Sequence, residues 1–232
     1  MSVPSQPPGV STVLCCGEAA RARWGALLSD AAGTILGVAE RPGRGDVDPL
    51  LDDLPGRLVV AGSDAALAAV MTRLLRRERL DVAVALLPDP DSVAAVVWRV
   101  PTEPDAAVAL ARRGSARRSP LVRDDRGSVV AGAHRLAAFH GTVYCDEHRV
   151  SHGDATGFEV RPAPDVPGVA VTVTGPRRLG GLRAGEVRHG RGRATQVGCR
   201  PAAALRDGVP DDRPVERRSW YRHVEDWWLV RP

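Results

Sequence analysis

Residues 58–67 read LVVAGSDAAL. Leu58, Val59 and Val60 make a short apolar run of strand-forming residues. Gly62 breaks it, and Ser63 and Asp64 precede an Ala/Leu stretch. A strand, a glycine turn and a helix start make up a loop that can hold phosphate through backbone N–H groups and the partial positive charge of a helix N-terminus. The same layout also describes a plain turn followed by a helix cap. Either way the residues after Asp64 form a helix. Leu67, Val70, Met71, Leu74 and Leu75 recur at helical spacing, while Arg73, Arg76, Arg77 and Glu78 fall on the other side.

Working outward, the runs 11–16, 33–38, 57–60 and 81–87 read as strands. The stretches 18–28, 46–54 and 104–113 read as helices, the last stopped by Gly114. Strands alternating with helices predict an open, largely parallel α/β sheet. Beyond about residue 115 the pattern changes. Short β-rich runs at 128–130, 141–145, 157–161, 168–174, 194–197, 203–206, 214–221 and 227–231 are separated by Gly, Pro and Asp turns. The expected organisation is a Pro/Ser-rich tail over 1–10, an α/β domain over 11–125 and a β-sandwich over 126–232.

Composition bounds the chemistry. The chain has 232 residues, 44% of them apolar, enough for a substantial core. It contains neither lysine nor asparagine, so all 32 basic residues are arginine. This excludes a Walker lysine, a Schiff-base lysine and an Asn-linked glycan. The net charge of +4 permits contact with phosphate or an anionic membrane surface. It does not demand nucleic acid, and no nucleic-acid partner is expected. Cys15, Cys16, Cys145 and Cys199 make no disulfide framework, which fits a reducing cytoplasm. The first ten residues lack the basic and apolar regions of a signal peptide, and no apolar run is long enough to span a bilayer. A cytoplasmic protein is expected, at most peripheral on the inner membrane face.

Four further stretches carry candidate chemistry. Leu87-Pro88-Asp89-Pro90-Asp91-Ser92 ends the strand over 81–87, and ligands of open α/β sheets bind outside such strand ends. Asp89 and Asp91 would repel a phosphate unless a divalent cation lay between. Arg206-Asp207-Gly208 is foremost a hairpin signal, although an aspartate held in a tight turn can also act as a general base. His140, Cys145, His148 and His152 lack the paired spacing of a zinc site, so Cys145 reads as core and the histidines as surface groups. The tail holds Trp220, Trp227 and Trp228, which read as core with the last strand closing a sheet.

In order, LVVAGSDAALAAVMTRLL (58–75), ALLPDPDSVAAVVWRVPTEPDAAVALARRG (85–114) and GRATQVGCRPAAALRDGVPDDRPVERRSWYRHVEDWWLV (192–230) resemble bacterial diacylglycerol kinases and sphingosine kinase-like lipid kinases. That family shares a nucleotide-binding fold with NAD kinases. The resemblance implies an N-terminal α/β nucleotide-binding domain, a C-terminal β-sandwich, and ATP with Mg²⁺ as the phosphoryl donor. Gly62, Ser63 and Asp64 stand in the family's GGDGT loop, and Pro88 opens the segment in place of PxGTGND. These positions would face nucleotide. Asp207 would take the proton from a lipid hydroxyl at the membrane surface. Gly-Ser-Asp-Ala-Ala replaces GGDGT, and GTGN is missing after Pro88. The same resemblance therefore admits a second expectation, a protein that holds nucleotide or lipid on this scaffold without turnover.

Overall fold

The computed structural model describes residues 11–28, 33–52, 54, 56–165, 167–177 and 185–232. The expected tail over 1–10 lies outside the described residues. The chain forms two compact units. One contains the described residues up to Ser119 together with Glu225–Pro232, and the other is Pro120–Val224.

The first unit begins β1 (Ser11–Cys16), α1 (Glu18–Leu28), β2 (Gly33–Val38) and α2 (Arg44–Val47), the last running into a 3-10 turn over Asp48–Leu50. It continues with β3 (Leu58–Gly62), α3 (Asp64–Arg76), β4 (Ala83–Pro88), α4 (Val93–Trp98), α5 (Pro104–Arg113) and β5 (Ala116–Ser119). Every residue of β3 and β4 is buried, as expected for central strands covered on both faces. Val13, Cys15, Val59, Ala61, Ala85 and Leu87 pack with Trp24 and Leu28 of α1 and Ala107, Val108 and Ala111 of α5. Leu58 and Val60 alternate to the opposite side of the sheet, and α3 packs on β3. The expected single helix over 46–54 is instead α2 and the 3-10 turn, because Pro49 cannot supply a helical N–H donor.

Helix α4 has no counterpart in the sequence expectation. Val93-Ala94-Ala95-Val96-Val97-Trp98 is a poor isolated helix, rich in β-branched residues. Tertiary capping forms it. Ser92 Oγ accepts from the Ala95 N–H at 2.9 Å, and Asp64 supplies a second cap from another loop.

The second unit is antiparallel. Its strands are β6 (Val122–Asp124), β7 (His134–Leu136), β8 (Phe139–Cys145), β9 (His148–Ala155), β10 (Gly157–Pro162), β11 (Val169–Thr174), β12 (Val187–Gly192), β13 (Ala194–Ala202), β14 (Ala204–Arg206), β15 (Val209–Pro210) and β16 (Val215–Arg222). They form one sheet in the order β12-β11-β10-β7-β14-β15 and another in the order β6-β16-β13-β8-β9. Val160, Val171 and Val173 from the first meet Val143, Val197, Val215 and Trp220 from the second in one core, which is a β-sandwich. The expected strand over 128–130 is only a bridge between Val129 and Arg123, since Val122–Asp124 takes the ladder position.

The last strand, β17 (Trp227–Val230), returns to the first unit. It pairs parallel with β4 and antiparallel with β5, giving the sheet order β2-β1-β3-β4-β17-β5. The sequence places this strand in the β-sandwich, whereas its partners place it in the α/β unit. Trp227 is buried there, edge-on to Trp98 of α4 with ring centroids 5.5 Å apart. No helix among the described residues is long and apolar enough to cross a membrane.

Candidate functional site

Two loops at the carboxyl ends of β3 and β4 are brought together. Gly62 is the register partner of Pro88 in the parallel ladder, so the Gly62-Ser63-Asp64 turn and the Pro88–Ser92 loop lie side by side. Gly62 adopts φ +147°. A Cβ there would meet Cys16 Cβ at 3.1 Å and the Cys16 carbonyl oxygen at 3.3 Å. Close packing of the β1 and β3 ends thus requires glycine at this position.

Ser63 and Asp64 both serve as caps. Ser63 Oγ accepts from the Ala66 N–H at 3.2 Å, closing the first turn of α3. The Asp64 carboxylate accepts from Ser92 Oγ at 2.5 Å, from the Val93 N–H at 2.9 Å and from the Ala94 N–H at 3.1 Å. A single carboxylate from the start of α3 therefore occupies the N-terminus of α4 and ties the two loops. The anion that a helix start favours is supplied here by the chain itself. Replacing Asp64 with alanine is expected to free the α4 N-terminus and lower stability by about 1–2 kcal/mol, measured as a shift in urea midpoint. An unchanged midpoint would remove this capping role.

Around these loops the charge is acidic. Burial pushes the Asp89 carboxyl above its usual range, Asp91 and Glu40 push it the same way, and Arg23 opposes them. The folded state thus favours protonated Asp89. Its contribution to stability is present below the ordinary aspartate range and is lost as pH rises through the raised value. Asp89→Asn is therefore expected to stabilise at pH 7, by about 0.5 kcal/mol, with the gain fading near pH 4. Urea midpoints at the two pH values check the sign. Burial likewise raises the Cys15, Cys145 and Cys199 thiols, and Cys16 is pushed up to about 12 by burial together with Cys15, Asp46 and Asp89. None is a poised nucleophile.

Asp207 lies in the second unit, in the β14–β15 hairpin, where Arg206 pairs with Val209 across the Asp207-Gly208 turn. Both turn residues have positive φ, +49° and +87°, the conformation that Asp-Gly hairpins adopt. The Asp207 side chain is 2% exposed. Its Oδ1 accepts from the Gly132 and Ala133 N–H groups at 2.7 and 3.0 Å, and Oδ2 accepts from Ala131 N–H at 3.2 Å. His134 Nε2 stands 3.4 Å from Oδ2. Trp220 Nε1–H donates to His134 Nδ1 at 2.9 Å. An indole N–H only donates, so Nδ1 carries the lone pair and the imidazole proton sits on Nε2, toward Asp207.

Sequence spacing does not reveal the Ala131–Ala133 turn and His134 around Asp207, and it does not give Ser92 and Trp220, both present in the stretches quoted above, these roles. A serine opening a helix is a readable cap signal, but the VAAVVW run concealed the helix. The His134 and Trp220 partnership joins strands 86 residues apart and leaves no local trace. Nearby, His140 Nδ1 lies 2.8 Å from Asp154, and His152 Nδ1 lies 2.8 Å from Thr142 Oγ1, while Cys145 is buried core. Among the described residues no cluster of three or more side chains could hold a metal ion.

No protein-family model matches the chain, and no curated protein sequence matches it. Solved structures do. A diacylglycerol kinase from Bacillus anthracis str. Sterne superposes with TM-score 0.70 at 11% identity, over 97% of this chain and 97% of that one. A proposed diacylglycerol kinase from the same strain gives TM-score 0.75 at 10% identity, over 98% and 99%. An NAD kinase from Archaeoglobus fulgidus, solved in complex with ATP, gives TM-score 0.54 at 11% identity, over 96% and 93%. At such identities the likeness is one of fold. The chain thus has the fold of diacylglycerol kinases and NAD kinases, a parallel α/β unit joined to an antiparallel β unit.

Proposed function

We propose that this chain is a diacylglycerol kinase-like protein that binds a nucleotide and does not transfer its phosphate. The observation that carries this is the state of Asp207. A general base must offer a lone pair to the hydroxyl it deprotonates. The Asp207 carboxylate is buried and already accepts three hydrogen bonds, from the Ala131, Gly132 and Ala133 N–H groups, as a structural clamp does.

Support for nucleotide binding comes from the paired ends of β3 and β4 and from the ATP-bound NAD kinase that shares the fold. The residues fit ATP in part. The start of α3 offers a helix N-terminus for phosphate, with the Ser63 and Asp64 side chains already committed to capping. Asp89 and Asp91 are the carboxylates that would hold Mg²⁺ between themselves and a phosphate, which the cation would screen from their charge. A lipid at the membrane inner face is the partner class that this fold suggests.

A specific observation favours a second reading, a working lipid kinase with Asp207 as base. Only one hydrogen bond reaches Oδ2, and His134 Nε2 beside it has no hydrogen-bond partner. An incoming hydroxyl could claim that direction. Thermal-shift titration with ATP, with and without Mg²⁺, followed by phosphoryl transfer from labelled ATP to diacylglycerol, tests both. A Tm that rises with ATP, with no labelled lipid, is the expected result. Transfer that disappears in Asp207→Asn establishes the kinase instead. No shift with any nucleotide overturns nucleotide binding.

A further inference from the structure

Helix α4 is held at its start by side chains more than by its own backbone. Its first intrahelical bond, from the Val96 N–H to the Ser92 carbonyl oxygen, is long at 3.5 Å. The N–H groups before it are taken by caps. Val93 and Ala94 donate to the Asp64 carboxylate at 2.9 and 3.1 Å, and Ala95 donates to Ser92 Oγ at 2.9 Å. Ser92 Oγ in turn donates to Asp64 Oδ1, so both caps hang on one carboxylate.

The apolar side chains of this turn add little hold. Ala94 and Ala95 are buried but small, and Val96 is exposed. The other end is anchored. Trp98 is buried edge-on to Trp227, and the N–H of buried Val100 donates to the Ala95 carbonyl oxygen at 2.9 Å. Valines at 93, 96 and 97 favour extended backbone once the caps are gone. The helix is therefore firm at Trp98 and conditional at Val93.

That condition is set at Asp64, which is also the first residue of α3. The turn over 62–64 is where the function proposed above seats a phosphate, so this inference rests on that reading. We propose that the first turn of α4 is a latch that nucleotide releases. A phosphate at the start of α3 brings negative charge to the residue whose carboxylate closes the latch. Asp64 is half-buried, where like charges repel more strongly than in water. The carboxylate leaves the Val93 and Ala94 N–H groups, Ser92 loses its acceptor, and Val93–Val96 opens while Trp98 stays seated. The coupling runs both ways: if nucleotide weakens the cap, the cap weakens nucleotide binding by the same factor.

Amide exchange of the full chain, followed by NMR with ATP in EDTA, tests this. EDTA keeps any divalent cation from bridging the two anions. ATP is expected to raise the Tm and to speed exchange at Val93, Ala94 and Ala95 by about tenfold or more, the worth of a helix cap. Tryptophan emission should stay that of the free protein, which global loosening would change. Asp64→Ala should show the same fast exchange without ATP. Asp64→Asn keeps an acceptor oxygen for the cap and removes the charge. Its exchange should stay slow with ATP, and it should bind ATP about tenfold more tightly than the parent. ATP binding that leaves these amides as protected as before overturns the latch and leaves nucleotide binding standing. So does slow exchange in Asp64→Ala, or ATP affinity in Asp64→Asn no tighter than the parent's. Absence of any Tm shift with ATP removes nucleotide binding itself, and the latch with it.

Discussion

Asp207→Ala is expected to destabilise the protein by about 3 kcal/mol or more, whatever it does to activity. The substitution strips the acceptor from the Ala131, Gly132 and Ala133 N–H groups, all in a buried turn. Each orphaned donor loses water as well as its partner, at a cost of about 1–3 kcal/mol before relaxation. It also puts alanine at φ +49°, where aspartate is better tolerated. The Asp207 N–H donates back to the Ala133 carbonyl at 2.9 Å, so the turn and the hairpin stabilise each other. Calorimetry should show the melting temperature of the β-rich unit falling by about 10 °C or more. Asp207→Asn, which keeps one acceptor oxygen, should lose less. A purely catalytic aspartate would predict the opposite pattern, with stability untouched and turnover abolished. A melting temperature within about 2 °C of the parent would overturn the clamp and return Asp207 to the role of base.

The second large effect is expected at Arg218. This guanidinium is 1% exposed, and its NH1 lies 2.5 Å from Asp211 Oδ2 and 3.9 Å from Asp124 Oδ2. The Asp211 and Asp124 side chains are 1% and 0% exposed. Arg206 Nε meets Asp211 Oδ1 at 2.6 Å, so the network reaches the residue next to Asp207. Removing one partner of a buried pair leaves an uncompensated charge, and Arg218→Met should cost about 3–5 kcal/mol. Adding Asp211→Asn removes a buried charge that Arg206 alone then compensates, and should recover part of that loss. A double-mutant cycle should therefore show coupling of about 1–3 kcal/mol. Additive losses would mean that Arg218 acts through packing and that the ion pair contributes little.

The sequence alone determined the class of each half. Apolar runs at 11–16, 33–38, 57–60 and 81–87, alternating with helical spacing, correspond to β1, β2, β3 and β4 of a parallel sheet. The central strands β3 and β4 are covered on both faces, while the edge strand β2 is largely exposed, and an apolar run is a local property that can be read residue by residue. The Asp-Gly hairpin was equally legible, because Asp207-Gly208 meets the φ demand of the turn by itself. Tertiary structure alone decided what the marked residues do. Asp64 looks like a phosphate-loop residue in the chain, yet Ser92, Val93 and Ala94 take up its carboxylate. The same cap turns VAAVVW into α4 against its own β-branched bias. Trp227–Val230 follows the β-sandwich in sequence but pairs with Ala83 and Val84 of β4, since a strand's sheet is chosen by its hydrogen-bond partners. A carboxylate has the same formula as base, cap or clamp, and which one it becomes depends on donors contributed by distant segments.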